Sequence, residues 1–139
     1  MGFGLPSQSR SEEELEQVER LKRGQERILE LKRVKRAKKT VVTKTHHGLE
    51  RLCASGENVK LIENEIADLW AALESCINVM DELQDAYSRS GELENKNSVT
   101  VEAEGLESEI NNVIEKTEGV IKQLVKKSQT ASNEQTVPQ

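Results

Sequence analysis

The stretch Val59–Tyr87, VKLIENEIADLWAALESCINVMDELQDAY, decides the fold. Val59, Ile62, Ile66, Leu69, Leu73, Cys76, Met80, Leu83 and Tyr87 follow one another at spacings that alternate strictly between 3 and 4. That alternation keeps one apolar stripe on one side of an α-helix, in the a and d positions of a heptad. Glu63, Glu65, Asp68, Glu74, Asp81, Glu82 and Asp85 fill the positions between. The stripe therefore calls for a partner helix while the rest of the surface faces water. Ser90-Gly91 supplies a left-handed C-cap, and the helix is expected over about 57–90.

On the C-terminal side, GELENKNS (91–98) reads as a polar connector rich in turn formers. The seam then resumes over 98–127 with Ala103, Leu106, Ile110, Val113, Thr117, Val120 and Leu124, again 3 and 4 apart. Ile114, Ile121 and Val125 widen this stripe, which favours packing against two neighbours. Lys122, Lys126 and Lys127 suit the negative end of the helix dipole. Val99-Thr100-Val101 has strand propensity, but one triplet makes no sheet. Residues 128–139, SQTASNEQTVPQ, read as a disordered tail.

On the N-terminal side, residues 1–10 hold Gly2, Gly4 and Pro6 without periodicity and read as a flexible leader. Ser11 and Glu14 then form a capping box, and Glu12, Glu13, Glu14 and Glu16 favour the positive end of a helix. A long helix is expected over about 11–54, with Gly48 or Ser55-Gly56 marking its end. Gly24 and Gly48 each weaken it by roughly 1 kcal/mol without stopping it. The expected fold is all-α. It is an antiparallel helical hairpin or three-helix coiled-coil-like bundle, with a long basic first helix and disordered termini. At 1.5 Å per residue the second and third helices are each roughly 45–50 Å long, so they form the firm core. The first helix packs its C-terminal half on that hairpin and projects its N-terminal part alone or toward another chain. Trp70, beside Leu69, is expected at the flank of the hairpin facing the first helix.

Composition agrees with a narrow core. Of the 139 residues 32% are charged and only 2% aromatic, which excludes the wide core of a typical α/β enzyme. A mean hydropathy of -0.68 and the absence of any run near 18 apolar residues exclude a transmembrane span. The formal net charge of -5 conceals two opposed segments. Arg20–Lys44 carries eleven basic residues against Glu26 and Glu30, a local +9, whereas Glu57–Glu94 carries a local -8. At 100° per residue Lys32, Lys35, Arg36 and Lys39 share one face of the first helix, and Leu31, Val34, Ala37 and Val41 the other. With Arg33, these basic residues are the candidate contacts.

Three readings fit this basic helix. In one, its charges lie beside the acidic second helix and align the bundle. In another, they meet nucleic-acid phosphates in a salt-sensitive, sequence-blind way. No aromatic residue interrupts the stretch, so base stacking is not expected. In the last, KRVKRAKK (32–39) serves as an address for nuclear import or an anionic membrane.

Motifs for chemistry are missing. His46 and His47 are adjacent and splay by about 100°, unlike the i, i+4 pairs of helical zinc sites. Cys53 follows His46 by seven residues, about 10 Å along the axis. Glu63, Glu65 and Asp68 have no pocket to tune them as acids or bases. We expect no catalytic residue, metal, cofactor or small-molecule substrate. Cys53 and Cys76, without a CxxC pairing, read as free thiols in an intracellular, reducing compartment, cytoplasmic or nuclear. The opening MGFGLPSQSR has no apolar signal core, and Pro6 stands where myristoylation wants Ser or Thr.

The stretch Glu19–Leu52, ERLKRGQERILELKRVKRAKKTVVTKTHHGLERL, resembles the N-terminal helical region of BEL/Pao-type LTR retrotransposon polyproteins. The likeness lies in a Lys/Arg-rich helix, then Val-Thr-Lys, then a Leu-rich turn. It continues through MDELQDAYSR (80–89), a polar gap and a further Glu-rich helix, about 110 residues in all. The resemblance implies a Gag-like assembly module. The chain carries no zinc knuckle and no DxG protease motif, so the resemblance implies no retroelement enzyme. Three functions follow as expectations: a self-associating or helix-binding assembly module, a nonspecific nucleic-acid binder using the first helix, and a coiled-coil tether or adaptor. The packing seam expected to serve the fold is Val59, Ile62, Ile66, Leu69, Leu73, Cys76, Met80, Leu83, Tyr87, Leu106, Ile110, Val113, Val120 and Leu124.

Overall fold

A computed structural model describes residues 4–56 and 58–136, with side chains at 12–56 and 58–128. The described residues form three helices: α1 Gly4–Ser55, α2 Val59–Arg89 and α3 Leu93–Thr136. Consecutive helices run antiparallel, as Arg27 of α1 reaching Glu82 of α2 and Thr100 of α3 reaching Gln84 of α2 show. The bundle is all-α, and no strand occurs among the described residues.

The α2 seam is the heart of the core. Ile62, Leu69, Leu73, Cys76, Met80, Leu83 and Tyr87 are buried, and Val59 and Ile66 are half-buried. From α3, Val99, Ala103, Ile110 and Ile114 are buried, with Leu106, Val113, Val120 and Leu124 half-buried. From α1 come Ile28, Leu31, Val42 and Leu49. Among the described residues Thr117 is the buried polar side chain, and its hydroxyl donates to the Val113 carbonyl at 2.8 Å, so it enters the core satisfied. The α2–α3 hairpin is not the larger pairing. α1 lies along α2 more extensively than α3 does, and the α1 and α3 backbones approach each other little.

The apolar face of α1 is also rotated from the expected one. Leu31 is buried, but Val41 is 50% exposed and its neighbour Val42 is buried in its place. The interior register runs 28, 31, 35, 38, 42, 45, 49 and 52, a heptad in which Lys35, Lys38 and Thr45 take interior positions and are half-buried. Polar residues on the seam hide its period from a hydrophobicity reading. The Thr45 hydroxyl is satisfied by the Val41 carbonyl at 2.8 Å.

Both connectors are tight, and each has an identifiable stop signal. α1 is closed by the residue after its end, Gly56 at φ 60, whose N–H donates to the Leu52 carbonyl at 3.0 Å in the single-bond left-handed cap. Asn58 then caps α2, its side-chain oxygen accepting from the Lys60 N–H at 2.9 Å. At the other end Gly91, at φ 72, donates to Ser88 at 3.1 Å, and Glu92 donates to Tyr87 at 2.9 Å. This is a Schellman pair of bonds. The Glu92 carbonyl already accepts from Lys96 at 3.0 Å, so the end of α2 and the start of α3 share one residue. The expected connector at 91–98 therefore shrinks to Gly91-Glu92, because Leu93–Ser98 has no residue that forbids a helix.

Both outer ends are longer than expected. α1 starts at Gly4, not Ser11, so residues 4–10 are helical rather than a leader and Ser11 lies inside the helix. Pro6 falls in the first turn, where a missing N–H costs nothing. α3 continues to Thr136 instead of ending near 127, since no glycine or proline interrupts 120–136. The expectations for 1–3 and 137–139 fall outside the described residues. Past the end of α2, near Gly24, α1 projects about 20 residues or roughly 30 Å, and every side chain from Glu12 to Arg23 is exposed.

Gly91 offers a clean test of the turn, because a Cβ added there would meet no atom within 4 Å. Gly91→Ala is expected to lower unfolding free energy by about 1–2 kcal/mol through backbone strain alone, measured by urea denaturation with an unchanged m-value.

Candidate interaction interface

Five basic residues of α1 share a stretch of helix but have three different environments. Lys35 and Lys39, one turn apart, both reach Glu102 of α3: Lys35 Nζ lies 2.7 Å from Oε1 and Lys39 Nζ 2.7 Å from Oε2. The Lys35 side chain is only 19% exposed, and Glu102 30%. Burial pushes the Glu102 carboxyl up, but hydrogen bonds from the two lysines and their charges outweigh it and hold it below its ordinary range. Lys32 turns toward α2, with Nζ 6.0 Å from the Tyr87 ring centroid, at the outer limit of a cation–π contact. Arg33 and Arg36 are exposed.

The shortest charge contacts of α1 thus run to the third helix, not to the acidic second. On α2, Glu82 takes Arg27 at 3.2 Å, while Asp85 is held by Arg89 of its own helix at 3.0 Å. Glu102 is the residue that sequence reasoning missed. One glutamate in a Glu-rich helix carries no mark, and the α1 register that turns Lys35 toward it was itself hidden by the polar residues on the seam. Beneath the clamp lies Cys76, whose thiol is pushed up by burial, with Lys39 opposing.

Grooves run between the helices of the bundle among the described residues. At the fork where α1 leaves α2, a cavity of about 850 Å³ is edged by Arg20, Arg23, Arg27 and Arg89 and by Glu82 and Asp85, over Leu21, Gly24 and Ala86. Between α2 and α3 a groove of about 470 Å³ holds Trp70, Leu73, Ile77 and Glu107. Trp70 is 45% exposed there, so it flanks the hairpin on the side away from the first helix, contrary to expectation. Position 70 follows the buried Leu69 by one residue, and the 100° step carries it to the α3 side. A third groove of about 380 Å³ between α1 and α3 includes His46, Cys53 and Thr117.

His46 and His47 stack with ring centroids 5.7 Å apart, and His46 Nε2 meets Glu50 at 2.8 Å. Among the described residues no group of three or more His, Cys, Asp or Glu is placed to hold a metal ion. No helix, among those residues, is long and apolar enough to cross a membrane.

Comparison with protein-family models, curated proteins and solved structures finds no match. Of the candidate contacts, Lys35 and Lys39 are engaged within the chain, and Arg33 and Arg36 are the ones presented outward.

The clamp has a signature in pH. A carboxyl with a lowered folded pKa contributes its full stabilisation above the unfolded value, about 4.3 for Glu, and loses it as pH falls through the lowered folded value. Glu102→Gln is expected to destabilise the bundle at neutral pH, because two half-buried ammonium groups are left facing each other. It should also flatten the acid limb of stability against pH, followed by urea unfolding at a series of pH values.

Proposed function

We propose that this chain is a non-enzymatic helical interaction and assembly module. One observation carries the reading: the N-terminal part of α1 stands clear of the bundle and exposes Leu15, Val18 and Leu21 at 63%, 57% and 64%. An isolated helix of this length is marginal in water, and its apolar side chains gain by meeting another surface. The remainder of the chain is a scaffold that holds this segment out. The Gag-like resemblance of Glu19–Leu52 supports an assembly role of retrotransposon origin. Cys53 and Cys76, both free thiols, support an intracellular setting, cytoplasmic or nuclear. A tether or adaptor uses the same fold and differs only in what the projecting segment meets.

The second reading is phosphate-backbone binding by nucleic acid. It is favoured by Arg33 and Arg36, which are exposed and have no carboxylate partner among the described residues. It is weakened by the clamp, which removes Lys35 and Lys39 from any phosphate.

Sedimentation equilibrium separates these readings. The weight-average mass is expected to rise above the 15.6 kDa of one chain with increasing protein concentration. A constant mass, together with low-salt binding of fluorescent RNA that Arg33→Glu with Arg36→Glu abolishes, would favour the nucleic-acid reading instead.

A further inference from the structure

Glu12, Glu13, Glu14, Glu16 and Glu19 make 12–19 purely acidic, with no basic residue among them. The next eight residues reverse sign, with Arg20, Lys22, Arg23 and Arg27 against Glu26. The local balance thus changes from -5 to +3 between Glu19 and Arg20. Leu15, Val18 and Leu21, three residues apart, form a slanted exposed stripe near that boundary. Within one chain the acids are poorly matched. Glu12 and Glu16 repel at i, i+4, and the Glu19–Arg23 pair spans 3.9 Å between side chains that are 68% and 79% exposed.

We infer that the partner of this segment is a second copy of the chain, joined antiparallel over residues 12–27 about a two-fold axis near the Glu19–Arg20 boundary. This rests on the assembly reading above and names its partner. A parallel overlay would set acid on acid and base on base. The antiparallel one sets Glu16 beside Arg23 and Glu19 beside Arg20, and Glu12 beside Arg27, which also holds Glu82 of its own bundle; these pairs outnumber the one like pair, Glu13 with Glu26, and the two-fold axis repeats each pairing. Val18 of each copy then meets Leu21 of the other at the centre, with Leu15 just outside. Such an isologous contact closes on itself as a dimer. The overlap is about 24 Å long; most of it lies beyond the bundle, whose edge it meets at Gly24–Arg27, where Arg27 holds Glu82 at 3.2 Å.

Sedimentation of the full chain and of charge-swapped variants tests this. Leu15→Glu with Val18→Glu, and separately Arg20→Glu with Arg23→Glu, should each return the mass to that of one chain. Circular dichroism and thermal midpoint of the bundle should stay near wild type, because these side chains are exposed. Adding Glu16→Arg and Glu19→Arg to Arg20→Glu and Arg23→Glu should restore the dimer, since only an antiparallel overlay is complementary after all four exchanges. A wild-type dimer that survives Leu15→Glu with Val18→Glu, or a fourfold exchange that stays monomeric, overturns the antiparallel contact and leaves the assembly reading standing. A wild-type chain that is monomeric at every concentration overturns both.

Discussion

Everything in this molecule hangs on one aliphatic stripe along α2. Ile62, Leu69, Cys76, Met80 and Leu83 are fully enclosed, and they are enclosed because α1 and α3 cover α2 from two sides. With only three aromatic residues in the chain, there is no large side chain to build a thick core, so stability comes from a long, thin one. Each buried aliphatic side chain contributes about 1.5–3 kcal/mol on removal from water. A narrow core of this kind leaves most of each helix surface to charge. It explains how a chain that is 32% charged folds without burying an unsatisfied side-chain polar atom among the described residues.

Charge then adds to apolar packing in relating α1 to α3. These two helices run parallel and their backbones come close at few points, so apolar packing between them is sparse and the ion pairs carry more of their relative position. The grip of Lys35 and Lys39 on the two oxygens of Glu102 supplies a specific register, reinforced near the far end by the Cys53 thiol 3.9 Å from the Thr117 hydroxyl. Partly buried ion pairs add little net stability once desolvation is counted, and their best-attested use is to specify register. The same grip withdraws positive charge from the surface, and the polarity a partner meets is that of the projecting helix.

How much of this was legible before the structure depended on the local pattern. The α2 seam was fully legible, because nine apolar residues in strict 3–4 alternation leave no competing period. The left-handed glycine at position 91 was legible as well, since few residues other than glycine adopt φ 72 without strain. The α1 register was not. Lysine and threonine occupy its interior positions, and Leu29 and Val41, both mostly exposed, point a hydrophobicity reading to the wrong face. The outer helix ends were missed for a related reason: polar composition resembles a tail, while helix continuation needs only the absence of a breaker.

The sequence by itself determined the class of the fold, the seams of α2 and α3, and the opposition of a basic and an acidic segment. These follow from the period of side chains along one helix, which is a local property. Only the tertiary structure decided that α2 is central, that Trp70 faces α3, and that Glu102 receives two lysines of α1. Those choices depend on which faces of different helices meet, for the two lysines and Glu102 across 63 and 67 residues of chain, and on the balance between burying a charge and matching it. Side-chain periodicity within a single helix is blind to both.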